Sequence, residues 1–530
     1  MTRFVMVWGT SSGAGKSWLA TALCRAAARR GTRVMPFKAQ NMSNNARVVA
    51  GLDGLGAEIG AAQYFQALAA RVEPGVDMNP VLLKPERDTA SQVVLHGRVD
   101  AALGRMGWRE RSPTLAEAAR ASLRRLAARC DLVVIEGAGS PAEINLAPQD
   151  YVNLGTARQA RALGALDSLL VTDIDRGGAF AHLYGTWALL PADLRDSLRG
   201  FVLNRFRGDA ALLAPGPADL QALTGVPLAG VIPMTRDHGL PDEDGLFDAG
   251  RPDAAQAGRL RIAVLCPPHV SNLDEFEPLR RMPGVQLAWV RSQAELHGAD
   301  WMVLPGSKQV SGDLAWLRRQ GLDAAVARHA AEGRPVLGIC GGLQMLGEAL
   351  VDPDGHDGQA GFNGPGLGLL PLVTRYEAAK RVRRTALRFG ATDAAWAPWA
   401  GAAAEGYEIH CGVTLPHPDL PPPRIALRGE DGQAVGWQLG NVLGVYAHGL
   451  FESPALLRAM WGTTAPALDD SFELLADLVE KHLDGALLDR LLAPAGYNPI
   501  LRGVAQPGSA SGLGPEGREF ESRRPDHLST

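Results

Sequence analysis

Short uninterrupted apolar runs punctuate this chain, separated by longer stretches in which apolar residues recur every three or four positions. In the first part the runs fall at 4–8, 33–37, 131–135, 169–173, 200–203 and 228–232. Runs this short, apolar at nearly every position rather than at alternate ones, read as strands buried on both faces. Ala/Leu/Arg-rich stretches such as 18–30 and 113–129 lie between them and read as helices. Such alternation predicts a parallel sheet covered by helices.

A polar stretch containing Asp, Gly and Pro follows at 241–257 and reads as a linker. The alternation then restarts, with runs at 261–266, 301–304, 335–339 and 442–446. We therefore expect an α/β protein with one parallel-sheet domain at 1–245, a linker at 246–259 and a second α/β domain at 260–455. A helical appendage is expected at 456–500 and a disordered tail at 501–530. That tail is Gly/Ser/Pro/Arg-rich, with too few apolar residues to offset its ordering entropy. Its Glu519-Phe520-Glu521-Ser522 matches a reading of a transfer-RNA T-loop, so the frame is expected to run through a neighbouring tRNA gene.

At 530 residues there is room for two or more domains, and 46% hydrophobic content lets each bury a core. The net charge of −4 argues against a broad polyanion-binding surface, so nucleic acid is not an expected partner. The five cysteines (Cys24, Cys130, Cys266, Cys340, Cys411) are scattered, without metal-site spacing. That usage suits a reducing cytoplasm. The apolar stretch at 4–8 is too short for a signal-peptide core, and no run approaches eighteen apolar residues, so no membrane span is expected.

The run 335–337 leads straight into Gly338-Ile339-Cys340-Gly341-Gly342-Leu343-Gln344. This reads as strand, sharp turn and helix with a cysteine at the bend, and flanking glycines where larger residues would block it. A sulfur there is exposed at a strand end and sits at the positive end of a helix dipole. It needs a base. His448, at the end of the apolar run Val442-Leu443-Gly444-Val445-Tyr446, is the candidate. Backbone N–H groups near Gly306, in Leu304-Pro305-Gly306-Ser307-Lys308, and at Gly341 are candidates for an oxyanion hole.

A second chemistry begins at Gly9-Thr10-Ser11-Ser12-Gly13-Ala14-Gly15-Lys16-Ser17, between a strand and a helix. Small residues such as Gly13 and Gly15 let backbone N–H groups turn around phosphate oxygens. Lys16 would reach the β- and γ-phosphates and the Ser17 hydroxyl would ligate Mg²⁺. The strict spacing wants glycine at position 10, where Thr10 stands. Glu136 ends the run 131–135 and is expected to complete the Mg²⁺ shell. Asp173 and Asp175 also follow a strand, as functional carboxylates or solvated loop groups. Asn204 ends the run 200–203 and is a candidate contact to a nucleotide base.

The phosphate loop resembles that of dethiobiotin-synthetase-like ligases. The cysteine elbow, strand-end histidine and Pro-Gly loop resemble a class I glutamine amidotransferase domain. That likeness implies glutamine hydrolysis through a γ-glutamyl thioester, with release of ammonia. Many members carry a glutamate two residues after the histidine; here Leu450 stands there, and Glu452 is off-register, so the third member is unassigned.

Together, the phosphate loop, the stretch 36–45 with its Gln40-Asn41-Met42-Ser43-Asn44-Asn45, the stretch 136–146, and Tyr407-Glu408-Ile409-His410 with Tyr446-Ala447-His448-Gly449 resemble the cobyric acid synthase family over about 3–495. The resemblance implies ATP- and Mg²⁺-dependent amidation of the b, d, e and g carboxylates of adenosylcobyrinic acid a,c-diamide. Its partners are then small molecules: corrinoid, glutamine and ATP. Gln40, Asn41, Asn44 and Asn45 suit a polar corrinoid, because amides both donate and accept; such residues also favour turns. Asp150 is either close to the reacting carboxylate or a helix cap. Ammonia must stay unprotonated between two sites, so an interdomain passage is expected. The competing readings are a cobyrinic acid a,c-diamide synthase, which shares the two-domain plan, and a MinD-like switch ATPase.

Overall fold

The computed structural model describes residues 2–87, 90–236, 238–241, 259–358 and 361–493. The linker expected at 246–259 lies, all but its last residue, outside these, as does the tail expected from 501. The first domain is built on six parallel strands in the order Leu228–Pro233, Leu198–Phe206, Ala165–Asp173, Arg3–Gly9, Leu132–Glu136 and Val34–Phe37. Successive residues point to opposite faces and both faces are covered. Phe4, Met6 and Trp8 join one apolar cluster, and Val5 and Val7 join the other. This double burial is why the strands read as continuous apolar runs.

The helix Lys16–Arg29 covers the second face together with Leu468–His482 and Gly485–Leu492 from the end of the chain. Those C-terminal helices are therefore no separate appendage. They complete the core of the first domain through Phe472, Leu475, Val479 and Leu488. Arg25, fully buried, is held there by Asp469 and by Glu473 at 3.1 Å.

Between residues 37 and 101 the first domain carries structure that apolar patterning did not anticipate. Strands Gln40–Met42, Val81–Arg87, Ala90–Leu95 and Arg98–Val99 form a side sheet, and Ala46–Ala50 with Gly56–Gly60 forms a hairpin. The hairpin presses on the second domain: a Cβ on Gly56 would lie 2.2 Å from the Val382 carbonyl oxygen.

The second domain holds parallel strands in the order Val285–Val290, Leu260–Leu265, Trp301–Leu304, Val336–Ile339 and Val442–Val445. Antiparallel strands continue the sheet, among them Leu372–Phe389 and Ala403–Pro416. These two long strands were absent from the sequence reading. Both are half-exposed, and the first carries Arg381, Arg383 and Arg384 where a buried strand would be apolar. No described helix is long and apolar enough to cross a membrane.

Candidate functional site

The cysteine bend is real and strained. Strand Val336–Ile339 ends at Cys340, whose φ of 53° is rare for a residue with a side chain, and helix Gly341–Leu346 follows at once. The glycines make the approach possible. A Cβ on Gly342 would sit 1.9 Å from the Leu304 carbonyl oxygen, and one on Gly341 would sit 2.8 Å from the Ser307 amide nitrogen.

His448 comes from the end of the adjacent strand, Val442–Val445, and shares a pocket with the sulfur, which donates to the Ile409 carbonyl at 3.5 Å. Its other ring nitrogen, Nδ1, lies 2.8 Å from Glu275 Oε1, and Glu275 Oε2 accepts from the Gly449 N–H at 3.1 Å. Both side chains are almost wholly buried. Burial opposes a charge on His448, but the Glu275 carboxylate and the Cys340 sulfur outweigh it and raise the imidazole to about 10. Glu275 was missed because nothing local marks it: it lies 173 positions from its partner, on the turn Leu273–Phe276. Glu452 instead pairs with Arg47 at 2.6 Å.

Of the proposed oxyanion donors, Gly341 opens a helix, where N–H groups lack intrahelical acceptors. Gly306 lies against the imidazole; a Cβ there would be 3.0 Å from His448 Cε1. The segments 306–307 and 340–341 thus flank the sulfur side by side.

In the first domain, Lys16 Nζ donates to the carbonyls of Ser11 (2.9 Å) and Gly139 (3.0 Å), closing the phosphate loop over itself. Gly13 and Gly15 have φ of 71° and 103°, values that favour glycine. The aliphatic part of Lys16 crosses Gly9, where a Cβ would lie 2.9 Å from it. This close approach is the local reason for glycine at position 9. Ser17 Oγ donates to Glu136 Oε1 at 2.8 Å, and so does Lys38 Nζ. Gln66 Nε2 donates to Glu136 Oε2, as does Gln63 Nε2 at 3.4 Å. Burial opposes the Glu136 charge, but Lys38, with Gln66 and Ser17, holds the carboxyl below its usual range.

The hydroxyl of Ser17 and the carboxylate of Glu136 are hard oxygen donors beside a phosphate loop, and so fit Mg²⁺, with Lys38 as a competing cation. Among the described residues no group of three or more His, Cys, Asp or Glu could hold a metal. Gln63 and Gln66 escaped sequence reasoning; Lys38 lies in the family-like stretch 36–45, directly after a buried strand, but its sequence context assigns it no role.

The remaining candidates lie around the two chemistries. Asn204 braces the loop from beneath: its Nδ2 donates to the Ala14 carbonyl at 3.1 Å and occupies the space a Cβ on Gly15 would need. Asp173 pairs with Arg176 (3.2 Å) and Arg205 (3.0 Å), and Asp175 with Arg207. Asp150 is a cap, accepting from the N–H groups of Val152 (3.0 Å) and Asn153 (2.7 Å). Gln40 accepts from the Tyr151 hydroxyl, and Asn41 donates to Gln63 at 3.1 Å, both on the phosphate side. Asn45 accepts from the Leu273 N–H at 3.1 Å, across the domain boundary, and Asn44 lines the pocket that contains Cys340 and His448. The amide-rich segment is therefore divided between the two chemistries.

That pocket spans both domains. Asn44, Lys84 and Gln92 come from the first; Cys340, Lys308 and Lys380 come from the second. Glu58 sits behind it, ion-paired with Lys84 and Lys380. Burial opposes the Glu58 charge, but the lysines outweigh it and hold the carboxyl well below its usual range.

A family model described as the CobQ/CobB/MinD/ParA nucleotide binding domain matches residues 5–245, and one described as the CobB/CobQ-like glutamine amidotransferase domain matches 261–456. A cobyric acid synthase of Leptothrix cholodnii is 62% identical over 503 residues, covering 93% of this chain and 97% of that protein. The chain belongs to the cobyric acid synthase family. Cobyric acid synthases of Methylibium petroleiphilum (62% identity) and Variovorax paradoxus (60%) also align with 93% of the chain, covering 97% and 100% of their own lengths. Both chemistries of the family are thus present: a nucleotide-binding half with its phosphate loop, and an amidotransferase half with its cysteine elbow.

Proposed function

We propose that the protein is a glutamine-hydrolysing, ATP-dependent amidoligase that amidates the b, d, e and g carboxylates of adenosylcobyrinic acid a,c-diamide. The observation that carries this reading is the bent Cys340, facing a His448–Glu275 pair, in a pocket whose far wall belongs to the nucleotide-binding domain. The family relatives, all cobyric acid synthases among those described above, favour it over the a,c-diamide synthase.

The Cys340 sulfur attacks the glutamine amide carbon, and the oxyanion that forms lies towards the backbone N–H groups at 306–307 and 341. His448, charged at neutral pH, gives its proton to the departing nitrogen, and ammonia leaves a γ-glutamyl thioester. Water then releases glutamate and frees the sulfur. In the other half, a corrinoid carboxylate oxygen attacks the γ-phosphorus of ATP and ADP departs. This step is needed because a bare carboxylate has only oxide as a leaving group. Lys16 and the loop amides neutralise the transferring phosphoryl group. Ser17 and Glu136 would hold Mg²⁺, which would supply further charge neutralisation. Ammonia attacks the acyl phosphate carbon and phosphate leaves.

The pocket shared by Asn44, Lys84 and Gln92 is the start of the ammonia route. Lys308 and Lys380 line it on the side of the second domain, with Glu58 behind Lys380. The test is the Cys340→Ala protein, supplied with ATP, Mg²⁺ and the a,c-diamide. It should form no product from glutamine and should still form the tetra-amidated product, seen by mass spectrometry, from ammonium chloride. Glutamine-driven amidation by Cys340→Ala would overturn the assignment.

A further inference from the structure

The side chain that holds the hydrolytic site in place from behind comes from the other domain. Arg47 lies on strand Ala46–Ala50 of the first domain, and its side chain is 2% exposed. Its Nε donates to Asp274 Oδ2 at 2.6 Å, and its guanidinium pairs with Glu452 Oε1 at 2.6 Å. Asp274 directly precedes Glu275, and Glu452 lies four residues beyond His448. Arg47 thus grips both short turns that carry the His448–Glu275 pair.

The third side of the grip is aromatic. The Arg47 guanidinium carbon lies 5.2 Å from the centre of the Tyr407 ring, and that ring stacks on the His448 imidazole at 5.2 Å between centroids. Tyr407 also exchanges backbone hydrogen bonds with His448, 2.9 and 3.3 Å long. Its hydroxyl accepts from Asn272 Nδ2 at 3.2 Å, and Asn272 Oδ1 accepts from the Ala46 N–H at 3.4 Å. The turn 272–275 is therefore tied to residues 45–47 at three successive points.

Arg47 is itself positioned by the nucleotide-binding domain. It lies 5.5 and 5.1 Å from the ring centres of Tyr64 and Phe65 on helix Ala61–Ala69. The same helix presents Gln63 and Gln66 to Glu136, beside the phosphate loop. A guanidinium is the group for this place: its planar fork meets two carboxylates while its face lies over aromatic rings.

We propose that Arg47 is a positioning residue for glutamine hydrolysis, supplied by the nucleotide-binding domain to hold the turn that bears Glu275 against His448. This rests on the glutaminase reading above. Without Arg47, Asp274 and Glu452 are left close together with no cation between them, and the turn shifts or recruits water. Glu275 then no longer orients the imidazole. The uncompensated carboxylates also hold the protons of the cluster more tightly. The groups facing that cluster are Glu275, His448, Cys340, Tyr407, Tyr64, Asp274 and Glu452.

The test uses the full-length protein with Arg47→Met and Arg47→Lys. Arg47→Met should lower the rate of glutamate release about 10- to 100-fold, the range that misplacement of a reacting group produces. Its ammonia-driven amidation should stay within twofold or so of wild type. The acid limb of its glutamate-release pH profile should move to higher pH and return towards wild type in Arg47→Lys. Glu452→Gln, altering a partly exposed partner, should lower glutamate release in smaller degree and, because it removes a negative charge, move the acid limb to lower pH; it guards against a poorly folding Met variant. Wild-type hydrolysis by Arg47→Met, an equal loss of both activities, or an unmoved acid limb would each overturn the proposal. A wild-type chain that never releases glutamate would instead overturn the glutaminase reading beneath it.

Discussion

Replacing Glu275 by Gln isolates what the carboxylate contributes to the hydrolytic site. Gln has nearly the same shape but only one acceptor oxygen. In the wild type Oε1 faces His448 Nδ1 at 2.8 Å and Oε2 accepts from the Gly449 N–H at 3.1 Å. Either orientation of the amide therefore sets an NH₂ against a donor. The lost bond is between a buried imidazolium and a buried carboxylate, and such charge-assisted bonds contribute about 1.5–3 kcal/mol. Fully expressed in the transition state, that is a rate lower by roughly 10- to 150-fold. Glutamate release from glutamine measures it, with ammonia-driven amidation as the internal control that should not change.

The pH dependence gives a second, independent reading. His448 is raised from an ordinary 6.5 to about 10: burial alone would lower it, and Glu275 and Cys340 reverse the sign. In Glu275→Gln the imidazole loses its proton at lower pH, so the alkaline limb of hydrolysis moves down from about 10 towards neutrality. A raised folded-state value stabilises the fold fully below the unfolded value of 6.5 and ceases to do so as pH rises through about 10. The melting-temperature gap between wild type and variant should thus be open near pH 6.5 and close towards pH 10. An unshifted alkaline limb, or an equal fall in ammonia-driven amidation, refutes the reasoning.

Two further substitutions test how individual positions are built. Gly342→Ala places a methyl 1.9 Å from the Leu304 carbonyl oxygen, which is backbone and cannot step aside. The expected cost is ~3 kcal/mol or more, a melting-temperature drop of about 6–12 °C for a domain of this size; an unchanged melting curve would show that the elbow is looser than described. Asp150→Ala removes a helix cap and should cost about 1 kcal/mol in chemical denaturation. The KM for the corrinoid should stay near wild type, and a large rise would return Asp150 to the substrate site.

Much of the site was legible in the chain because its signals are local. The elbow needs small residues on both sides of one cysteine, and the phosphate loop needs small residues between a strand and a lysine. Both are contiguous, and both appear where the pattern puts them. The apolar runs were legible for a similar reason: strands covered on both faces leave no polar positions to break the run. The long strands Leu372–Phe389 and Ala403–Pro416 escaped because one face of each is open to water and breaks the apolar run, with arginines along the first. Asn44 and Asn45 suit a polar substrate because amides donate and accept; the fold sets them at the domain boundary, a placement their local sequence does not show.

Sequence by itself determined the chemical vocabulary of this protein: a sulfur at a strained bend, a lysine in a phosphate loop, and a carboxylate and a histidine at strand ends. Each depends on neighbours a few positions away, where backbone sterics dictate residue type. Only the tertiary structure decided who works with whom. Glu275 meets His448 across 173 positions, and Arg47 meets Asp274 across 227. Such pairs leave no periodic trace, because long-range electrostatic contacts are set by how turns pack within a domain and how two domains close on each other, and not by spacing along the chain.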